Sequence, residues 1–264
     1  MVLVVLENQN YRDVVGSPSM PYLNGLIGRG GLATNYFANT HPSIGNYFVM
    51  TSGQVATNDE GFMGTLSIQN VAQDLTAAGK SWKIYAQALP SVGYLGPDVY
   101  PYVRHHNPFA YFDTVVNDTV QQQNIVEMAQ FSSDVSTGNL PDFAMLVPDQ
   151  QHNAHDCPGG GSNCSMAVRL AAADTLLRSN LQEIIAAGDP KTLIVITFDE
   201  AADDNTNGGG QVATVLIGPR VKSAFRSTTL YQHESLYRLI LEVTGNSSLP
   251  PAAASATGMG EFLK

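Results

Sequence analysis

Hydrophobic and polar positions follow two rhythms along this chain. Short runs of apolar and β-branched residues, typical of buried strands, alternate with stretches in which apolar residues recur every three or four positions, as in amphipathic helices. The runs predict strands at Val2–Leu6, Trp82–Ala86, Asp142–Val147, Thr192–Phe198 and Val212–Ile217. The longer spacing predicts helices at Met20–Ile27, from Ser43 to near Gly53, and at Leu66–Ala78, Gln122–Phe131, Met166–Ala187 and Ser235–Val243.

Two stretches follow neither rhythm. Leu89–Phe112 is rich in Pro, Gly and Tyr and is predicted to form an ordered excursion over the surface, whereas Pro250–Thr257 has the composition of a disordered tail. Strands that alternate with helices predict an α/β fold, with a mostly parallel central sheet and helices on both faces. No repeat or linker divides the chain, and its 264 residues suit one domain, so we expect residues 1–264 to form a single domain.

Charge and hydropathy exclude several functions. The formal net charge of −10 argues against a nucleic-acid-binding surface, which needs clustered Lys and Arg. The longest apolar runs, such as Leu193–Phe198, are too short to span a bilayer, so we expect no transmembrane segment. An anionic substrate would need a metal ion or a local positive patch to bind such an acidic protein.

Two cysteines lie close together in the sequence. Cys157 and Cys164 flank a Pro/Gly-rich stretch flexible enough for their sulfurs to meet, as in the disulfides of exported proteins. His152 and His155 nearby also allow a zinc site, and two free thiols are the third alternative. We expect the disulfide, and the sequence leaves the other two alternatives open.

Ser43 follows Pro42 and precedes a predicted helix. Proline fixes its own φ and disfavours helical backbone at the residue before it, so Ser43 falls where a helix can begin. A Ser at such a position usually caps the helix by accepting hydrogen bonds from backbone amides. It can also act as a nucleophile, because the amides and the helix dipole favour incoming negative charge.

Acidic and amide side chains follow the predicted strands. Glu7 and Asn8 end the first strand, and Asp199 and Glu200 end the strand Thr192–Phe198. The loop after Asp142–Val147 contains Asp149, His152, Asn153, His155 and Asp156. Because ligands bind at the carboxyl edge of such sheets, these groups are expected to converge there. Oxygen ligands from Glu7, Asn8, Asp199 and Glu200 suit a hard divalent ion, which also relieves the repulsion between adjacent acids.

Six motifs together resemble a known family. In chain order they are Val4–Asn8, Thr40–Ser43 with Asn46–Tyr47, Arg104–Phe109, His155–Asp156, Thr197–Glu200 and His233–Leu236. This set resembles the bacterial phosphoesterase family that groups secreted acid phosphatases with phospholipases C, within the alkaline phosphatase superfamily. The resemblance extends from Val2 to about Phe262 and implies an alkaline-phosphatase-like fold and a secreted or periplasmic protein.

The resemblance also implies roles for individual residues. Ser43 would attack phosphorus and form a phosphoserine, which water then hydrolyses. His106 and His155 would contact the transferred phosphoryl group or protonate the leaving oxygen. One divalent ion, with Ca, Mg, Mn and Zn all open, would be held by Glu7, Asn8, the Ser43 oxygen, Asp199 and Glu200. The further candidates for substrate binding are Asn46, Arg104 and His233.

Some positions depart from the family pattern. Gly45 stands where the family has Pro, and Asp149 stands where it has an amide, so Asp149 and Asn153 receive no role. The expected function is a metal-dependent phosphate ester hydrolase, an acid-phosphatase-like phosphomonoesterase acting on a small-molecule or lipid phosphate ester. The alternatives are a phospholipase C-type phosphodiesterase acting on phospholipid head groups and an inactive member that binds phosphate or another anion. The sequence predicts no oligomeric state.

Overall fold

The computed structural model describes residues 1–161, 163–246 and 248–264. Its strands are β1 (Val2–Leu6), β2 (Gly31–Ala33), β3 (Tyr36–Phe37), β4 (Trp82–Ala86), β5 (Ile125–Glu127), β6 (Phe143–Val147), β7 (Ile194–Phe198), β8 (Thr214–Ile217), β9 (Phe225–Ser227) and β10 (Tyr231–Gln232). Its α-helices are α1 (Tyr11–Val14), α2 (Pro21–Arg29), α3 (Ser43–Ser52), α4 (Val71–Ala77), α5 (Asp113–Val116), α6 (Thr119–Gln122), α7 (Ala129–Ser136), α8 (Met166–Ala187), α9 (Glu234–Thr244) and α10 (Pro251–Ser255). Short 3₁₀ turns lie at Arg104–His106, Pro108–Ala110 and Gly260–Phe262.

Eight strands form the central sheet, in the order β5-β4-β6-β1-β7-β8-β2-β9. All its pairs are parallel except those of β8, which runs antiparallel to both β7 and β2. A separate parallel pair joins β3 to β10. The prediction of an α/β fold with a mostly parallel sheet is confirmed.

The middle of the sheet is buried on both faces. Every residue of β1, β6 and β7 is buried, as expected of strands that read as continuous apolar runs. Helices α2, α7 and α8 pack together in one group, and α3, α4, α9 and α10 pack in another. One cluster of buried hydrophobic residues extends from Val2 to Phe262.

Three predictions about local structure were wrong. The predicted helix Gln122–Phe131 is interrupted by strand β5, because Ile125 and Val126 pair with the edge of the sheet at β4. The predicted helix Leu66–Ala78 begins only at Val71, where the side chain of Asn70 accepts a hydrogen bond from Gln73 N and caps it. The predicted tail Pro250–Thr257 contains helix α10, whose Ala253 is buried against the core.

The cysteine prediction is confirmed, because Cys157 and Cys164 form a disulfide. Both sulfurs are therefore committed to each other, and the alternative zinc site does not form. Across the described ranges, no helix combines the length and hydropathy that membrane crossing requires.

A glycine-rich loop after β7 supports the turn that carries Ser43. Gly209 is buried, donates its N–H to Ala38 O at 3.1 Å and accepts from Ala201 N at 2.9 Å. A Cβ at this position would lie 2.5 Å from Thr40 O, closer than real Cβ atoms come to other atoms. The loop therefore connects the residues after Glu200 to the residues before Ser43 by close backbone contact.

We predict that Gly209→Ala lowers the free energy of unfolding by about 1–3 kcal/mol, because the methyl group must displace backbone. The control is Gly25→Ala in α2, an exposed position with no atom within 4 Å of the added methyl group. It should raise the free energy of unfolding by about 0.5–1 kcal/mol, since alanine is the better helix former. Chemical denaturation followed by circular dichroism measures both, and equal effects of the two changes would contradict the proposed contact.

Candidate active site

The register of two neighbouring strands places Glu7 beside Asp199. Strands β1 and β7 pair in parallel with Leu6 opposite Phe198, so the next residue of each strand emerges at the same edge. Asp199 N donates to Leu6 O at 2.9 Å, and Asn8 N donates to the Asp199 carboxylate at 3.1 Å. Both Glu7 and Asp199 are buried. The carboxyl edge of the sheet therefore holds two acids in a site shielded from water.

Ser43 occupies the first turn of α3 and points into this site. Pro42 stands at the N-cap position, and no side chain caps the helix. The Ser43 hydroxyl instead lies 3.5 Å from Glu7 Oε1. The Ser43 hydroxyl therefore does not cap the helix, which was one of the two roles considered for it from the sequence.

Three buried side chains are spaced as metal ligands. Glu7, His106 and Asp199 each offer one atom, and these atoms all lie within 4.8 Å of one another. His106 Nε2 is 3.4 Å from Glu7 Oε1, and its ring stacks on Tyr47 with 4.8 Å between centroids. His106 was expected at the phosphoryl group, and the structure places it directly against Glu7.

Several buried polar atoms in this cluster make no hydrogen bond within the described residues. They are Asn8 Oδ1, Asp199 Oδ2 and both ring nitrogens of His106. An unpartnered buried polar atom is costly, and such atoms in native proteins usually mark a bound ion or water. Carboxylate and amide oxygens with an imidazole are also a donor set that divalent ions accept. The residues therefore fit a divalent cation.

The electrostatics of the site indicate the same deficit of positive charge. Burial, then the charges of Glu7 and Glu200, raise the pKa of Asp199 well above its usual range. Burial and Glu7 raise the pKa of Glu200 to about 8. Burial alone would raise the pKa of Glu7, but His106 overrides burial and lowers it. Conversely, burial would lower the pKa of His106, but Glu7 raises it. The imidazoles of His106 and, at Glu200, His41 thus face three carboxyl groups.

Glu200 lies at the side of the cluster. Its Oε1 is 3.1 Å from His41 Nδ1, and its Oε2 accepts from Asn46 Nδ2 at 3.2 Å. The Asn46 amide also accepts from Asn39 N and Thr40 N through its oxygen. Asn46, expected to bind substrate, therefore holds the turn before Ser43 and the Glu200 carboxylate in place.

His155 and Arg104 lie outside the cluster. His155 is at the rim, where its side chain is 40% exposed and its Nδ1 is 2.8 Å from Asp156. The Arg104 guanidinium is buried, donates to Ala110 O at 2.9 Å and stacks over the Tyr111 ring. The structure does not bring Arg104 to the Glu7 cluster.

His233 supports the site from behind. Its Nε2 is 2.6 Å from the backbone oxygen of Asp199, and its Nδ1 is 3.1 Å from the Tyr36 hydroxyl. Burial lowers the pKa of His233 to about 4, so the ring is neutral near pH 7. Since a carbonyl oxygen only accepts, Nε2 donates to Asp199 O and Tyr36 donates to Nδ1. His233 thus fixes the backbone that carries Asp199.

Asn153 belongs to the site, although no role was predicted for it from the sequence. Its Nδ2 donates to Glu7 Oε2 at 2.6 Å, and its backbone oxygen accepts from Glu7 N at 2.8 Å. His155, two residues later, donates its backbone N–H to the Asn153 side-chain oxygen. The position of Asn153 after β6, at the carboxyl edge of the sheet, is the sequence signal that could have identified it. The motif around Asn153 departs from the family pattern, and this departure concealed its role.

Comparison with known proteins identifies relatives over nearly the whole chain. A sequence model described as "Phosphoesterase family" matches residues 14–245. A probable acid phosphatase from Kluyveromyces lactis is 30% identical over 94% of this chain and 58% of that protein. An acid phosphatase from Aspergillus fumigatus is 29% identical over 94% of this chain and 54% of that protein. A phosphatidylinositol-3-phosphatase from Mycobacterium tuberculosis is 26% identical over 90% of this chain and 75% of that protein.

Solved structures show the same architecture at low sequence identity. A protein in the alkaline phosphatase superfamily from Vibrio parahaemolyticus superposes with a TM-score of 0.65 at 14% identity, over 96% of this chain and 68% of that one. The PsFucS1 sulfatase from Pseudoalteromonas gives 0.62 at 11% identity, over 100% of this chain and 73% of that one. These likenesses confirm the alkaline-phosphatase-like fold.

The chain spans little more than half the length of the two fungal acid phosphatases. The family match nevertheless covers residues 14–245, which include α3 with Ser43 and the end of β7 with Asp199. The resemblance inferred from six motifs is thereby confirmed, and this chain belongs to the phosphoesterase family.

Proposed function

We propose that this chain hydrolyses phosphate monoesters, as an acid-phosphatase-like enzyme, through a phosphoserine formed on Ser43. The observation that carries the proposal is the Ser43 hydroxyl, which is not used to cap its helix and contacts Glu7 within a buried acidic cluster. The names of the fungal relatives support the choice of reaction.

A divalent cation completes the proposed site. Glu7, Asn8 and Asp199 would hold it with the Ser43 oxygen, and Glu200 would add its charge from the side. Such an ion lowers the pKa of a coordinated hydroxyl and offsets negative charge on phosphoryl oxygens. Asn153 and His233 keep the two principal acids in place, Asn153 through the Glu7 carboxylate and His233 through the Asp199 backbone.

The proposed chemistry has two displacements. Ser43 Oγ forms a bond to phosphorus as the bond from phosphorus to the ester oxygen breaks, and the alcohol leaves with a proton. His106, which lies in the cluster, would contact the transferred phosphoryl group, and His155, whose side chain is 40% exposed, would protonate the leaving oxygen. Water then attacks the phosphoserine, which releases inorganic phosphate and restores Ser43. The ester and one water thus become an alcohol and phosphate.

A second candidate is hydrolysis of a lipid phosphate. Apolar side chains are exposed in the two loops that flank His106, with Met63 53% exposed and Tyr100 55% exposed. A relative named phosphatidylinositol-3-phosphatase matches 90% of this chain. Hydrolysis of a phosphoinositide presented in vesicles, at a higher rate than of a soluble monoester, would favour this candidate.

The proposal extends to the domain organisation and the cellular location of the protein. We propose that residues 1–264 act as one phosphoesterase domain, which the continuous core from Val2 to Phe262 supports. We also propose that the protein works outside the cytoplasm, since the Cys157–Cys164 disulfide requires an oxidising compartment to persist.

We predict that Ser43→Ala lowers kcat for a chromogenic phosphate monoester by about a thousandfold or more, because the nucleophile is removed. Ser132→Ala, at an exposed position of α7, is the matched control and should keep wild-type activity. Mass spectrometry of acid-quenched wild-type protein should find phosphate on the peptide that contains Ser43. Wild-type turnover by Ser43→Ala would exclude the nucleophile, and an inactive wild-type protein that binds phosphate would favour the binding-only alternative.

We also predict that activity depends on a divalent ion and that binding of this ion depends on pH. Chelation should abolish hydrolysis, and adding a divalent ion should restore it. Because the pKa of Asp199 is raised and that of Glu200 reaches about 8, the metal-free site holds protons that the ion must displace. The apparent affinity should therefore fall as pH drops below about 8, by roughly tenfold per unit for each displaced proton. Titration calorimetry in two buffers measures the affinity for the ion and the number of displaced protons. Full activity of the metal-free protein would refute the site.

Substitution of His106 distinguishes a contact to the phosphoryl group from a role as metal ligand. His106→Ala should lower kcat by roughly a hundredfold or more while the bound metal stays at the wild-type content, as expected of a phosphoryl contact. His152→Ala, whose ring pairs with Asp149, is the histidine control and should leave activity unchanged. Elemental analysis of both variants gives the metal content. Loss of the ion from His106→Ala would instead make His106 a ligand.

A further inference from the structure

The backbone next to His155 has an unusual conformation. Ala154, the residue before it, is buried and has a φ of 84°, in the left-handed region that residues with a side chain rarely adopt. Such a conformation is strained and persists only where surrounding contacts fix it, most often at functional sites. The strained residue here lies between Asn153, whose amide donates to the Glu7 carboxylate, and His155.

Three hydrogen bonds fix this backbone. Gln9, in the segment after β1, donates its side-chain Nε2 to Ala154 O at 2.9 Å. Arg169, near the start of α8, donates Nη1 to His155 O at 2.8 Å. The His155 N–H donates to the Asn153 side-chain oxygen at 2.9 Å. Because these contacts come from the segment after β1, from α8 and from the loop itself, the main chain of His155 is held from three directions.

A second set of contacts holds the His155 ring. Its Nδ1 lies 2.8 Å from Asp156 Oδ1, and the other carboxylate oxygen of Asp156 accepts a hydrogen bond from the Tyr100 hydroxyl at 3.1 Å. Since a carboxylate only accepts, Nδ1 donates its proton to Asp156. This contact fixes the tautomer of the neutral ring and leaves Nε2 as the nitrogen available to a substrate.

The His155 ring also lies close to the Glu7 cluster. Burial acts to raise the pKa of the Glu7 carboxyl, but His106 and then the charge of His155 lower it. The His155 side chain is 40% exposed, so it borders both the cluster and the solvent. A histidine in this position can exchange a proton between a bound molecule and water.

We propose that Asp156 and Tyr100 are positioning residues that hold the His155 ring with Nε2–H toward the oxygen of the leaving alcohol. The inference rests on the proposed function and deepens it, because it gives roles to two residues that have none in the proposed site. As the bond from phosphorus to the ester oxygen breaks, the proton on Nε2 passes to that oxygen. The charge of Asp156 stabilises the imidazolium that supplies this proton. The neutral ring then takes a proton from the water that attacks the phosphoserine.

The test compares two esters whose leaving groups differ in their need for a proton. Dinitrophenyl phosphate releases a weakly basic phenolate that leaves without a proton, whereas phenyl phosphate releases a far more basic phenolate. We expect Asp156→Asn to lower kcat/KM for phenyl phosphate by roughly ten- to hundredfold, the range for a lost hydrogen bond to a charged group. The value for dinitrophenyl phosphate should stay close to that of the wild type. Tyr100→Phe should show the same pattern with a smaller loss.

Asp149→Asn is the matched control, because Asp149 Oδ1 lies 2.7 Å from His152 Nδ1 in a second pair of the same kind in this loop. It should leave the ratio between the two esters at the wild-type value. In a His155→Ala background, Asp156→Asn should cause no further loss with phenyl phosphate, because Asp156 acts through the ring.

Thermal unfolding of each variant shows whether it is folded, and Tyr100→Phe, at an exposed position, serves if Asp156→Asn is not. Equal losses for both esters in Asp156→Asn would overturn the inference, because the carboxylate would then only stabilise the loop. A further loss from Asp156→Asn in the His155→Ala background would also overturn it.

A spectroscopic measurement separates this inference from the proposed hydrolysis. Nitrogen NMR chemical shifts of isotope-labelled histidine report which ring nitrogen carries the proton, and the signal that disappears in His155→Ala identifies its ring among the six histidines. The neutral His155 ring should carry its proton on Nδ1 in the wild type and as a mixture of both tautomers in Asp156→Asn. If wild-type protein hydrolyses neither ester, the proposed function fails, and this comparison still decides the inference. The same tautomers in both proteins would refute positioning by Asp156.

Discussion

The organisation of this protein depends on like charges buried together at one edge of its sheet. Glu7 and Asp199 follow adjacent parallel strands whose register leaves no freedom to separate them. Burial of carboxylates is costly, and each carboxylate makes the other harder to ionise. The buried imidazole of His106 faces Glu7 and Asp199, and His41 pairs with Glu200, so the acids of the site suit a bound cation. A cation bound there would supply the positive charge that an anionic substrate needs.

The residues around the cluster serve to hold these repelling groups still. Asn153 contacts Glu7 through both its amide and its backbone oxygen, and His233 fixes the backbone of Asp199. Asn46 spans the turn before Ser43 and the Glu200 carboxylate. None of the three needs to touch substrate to matter. A buried polar network of this kind is rigid when its members are satisfied, and here the atoms left unsatisfied lie where an ion would bind.

Strands and loops hold the acids of this region in different ways. Glu7 and Asp199 follow strands of the central sheet, where the register of parallel pairing fixes their positions. Glu60 and Asp98 lie in segments without regular helix or strand, on either side of the His105 ring. Loops on a rigid scaffold can change without disturbing the core. The acidic cluster is therefore a property of the sheet.

The sequence by itself determined the central strands and most residues of the acidic cluster. Apolar, β-branched runs of five or six residues are typical of buried strands, so β1, β6 and β7 and the polar residues that end them were predictable. The motifs likewise identified the family and placed Ser43, Glu7 and Asp199 at one site. The prediction failed at Ile125–Val126, because a short apolar stretch fits a helix face and an edge strand equally well, and pairing with β4 decides between them.

Only the tertiary structure decided what each polar side chain faces. Arg104 and His106 are two residues apart, yet one guanidinium is buried against Tyr111 and one imidazole lies against Glu7. Asn153 joins the site from a segment whose local sequence carries no periodic signal. Side-chain direction in a loop depends on contacts with residues distant in the chain, and local propensity does not encode those contacts. The strands, which impose a two-residue period on their side chains, were predictable for the opposite reason.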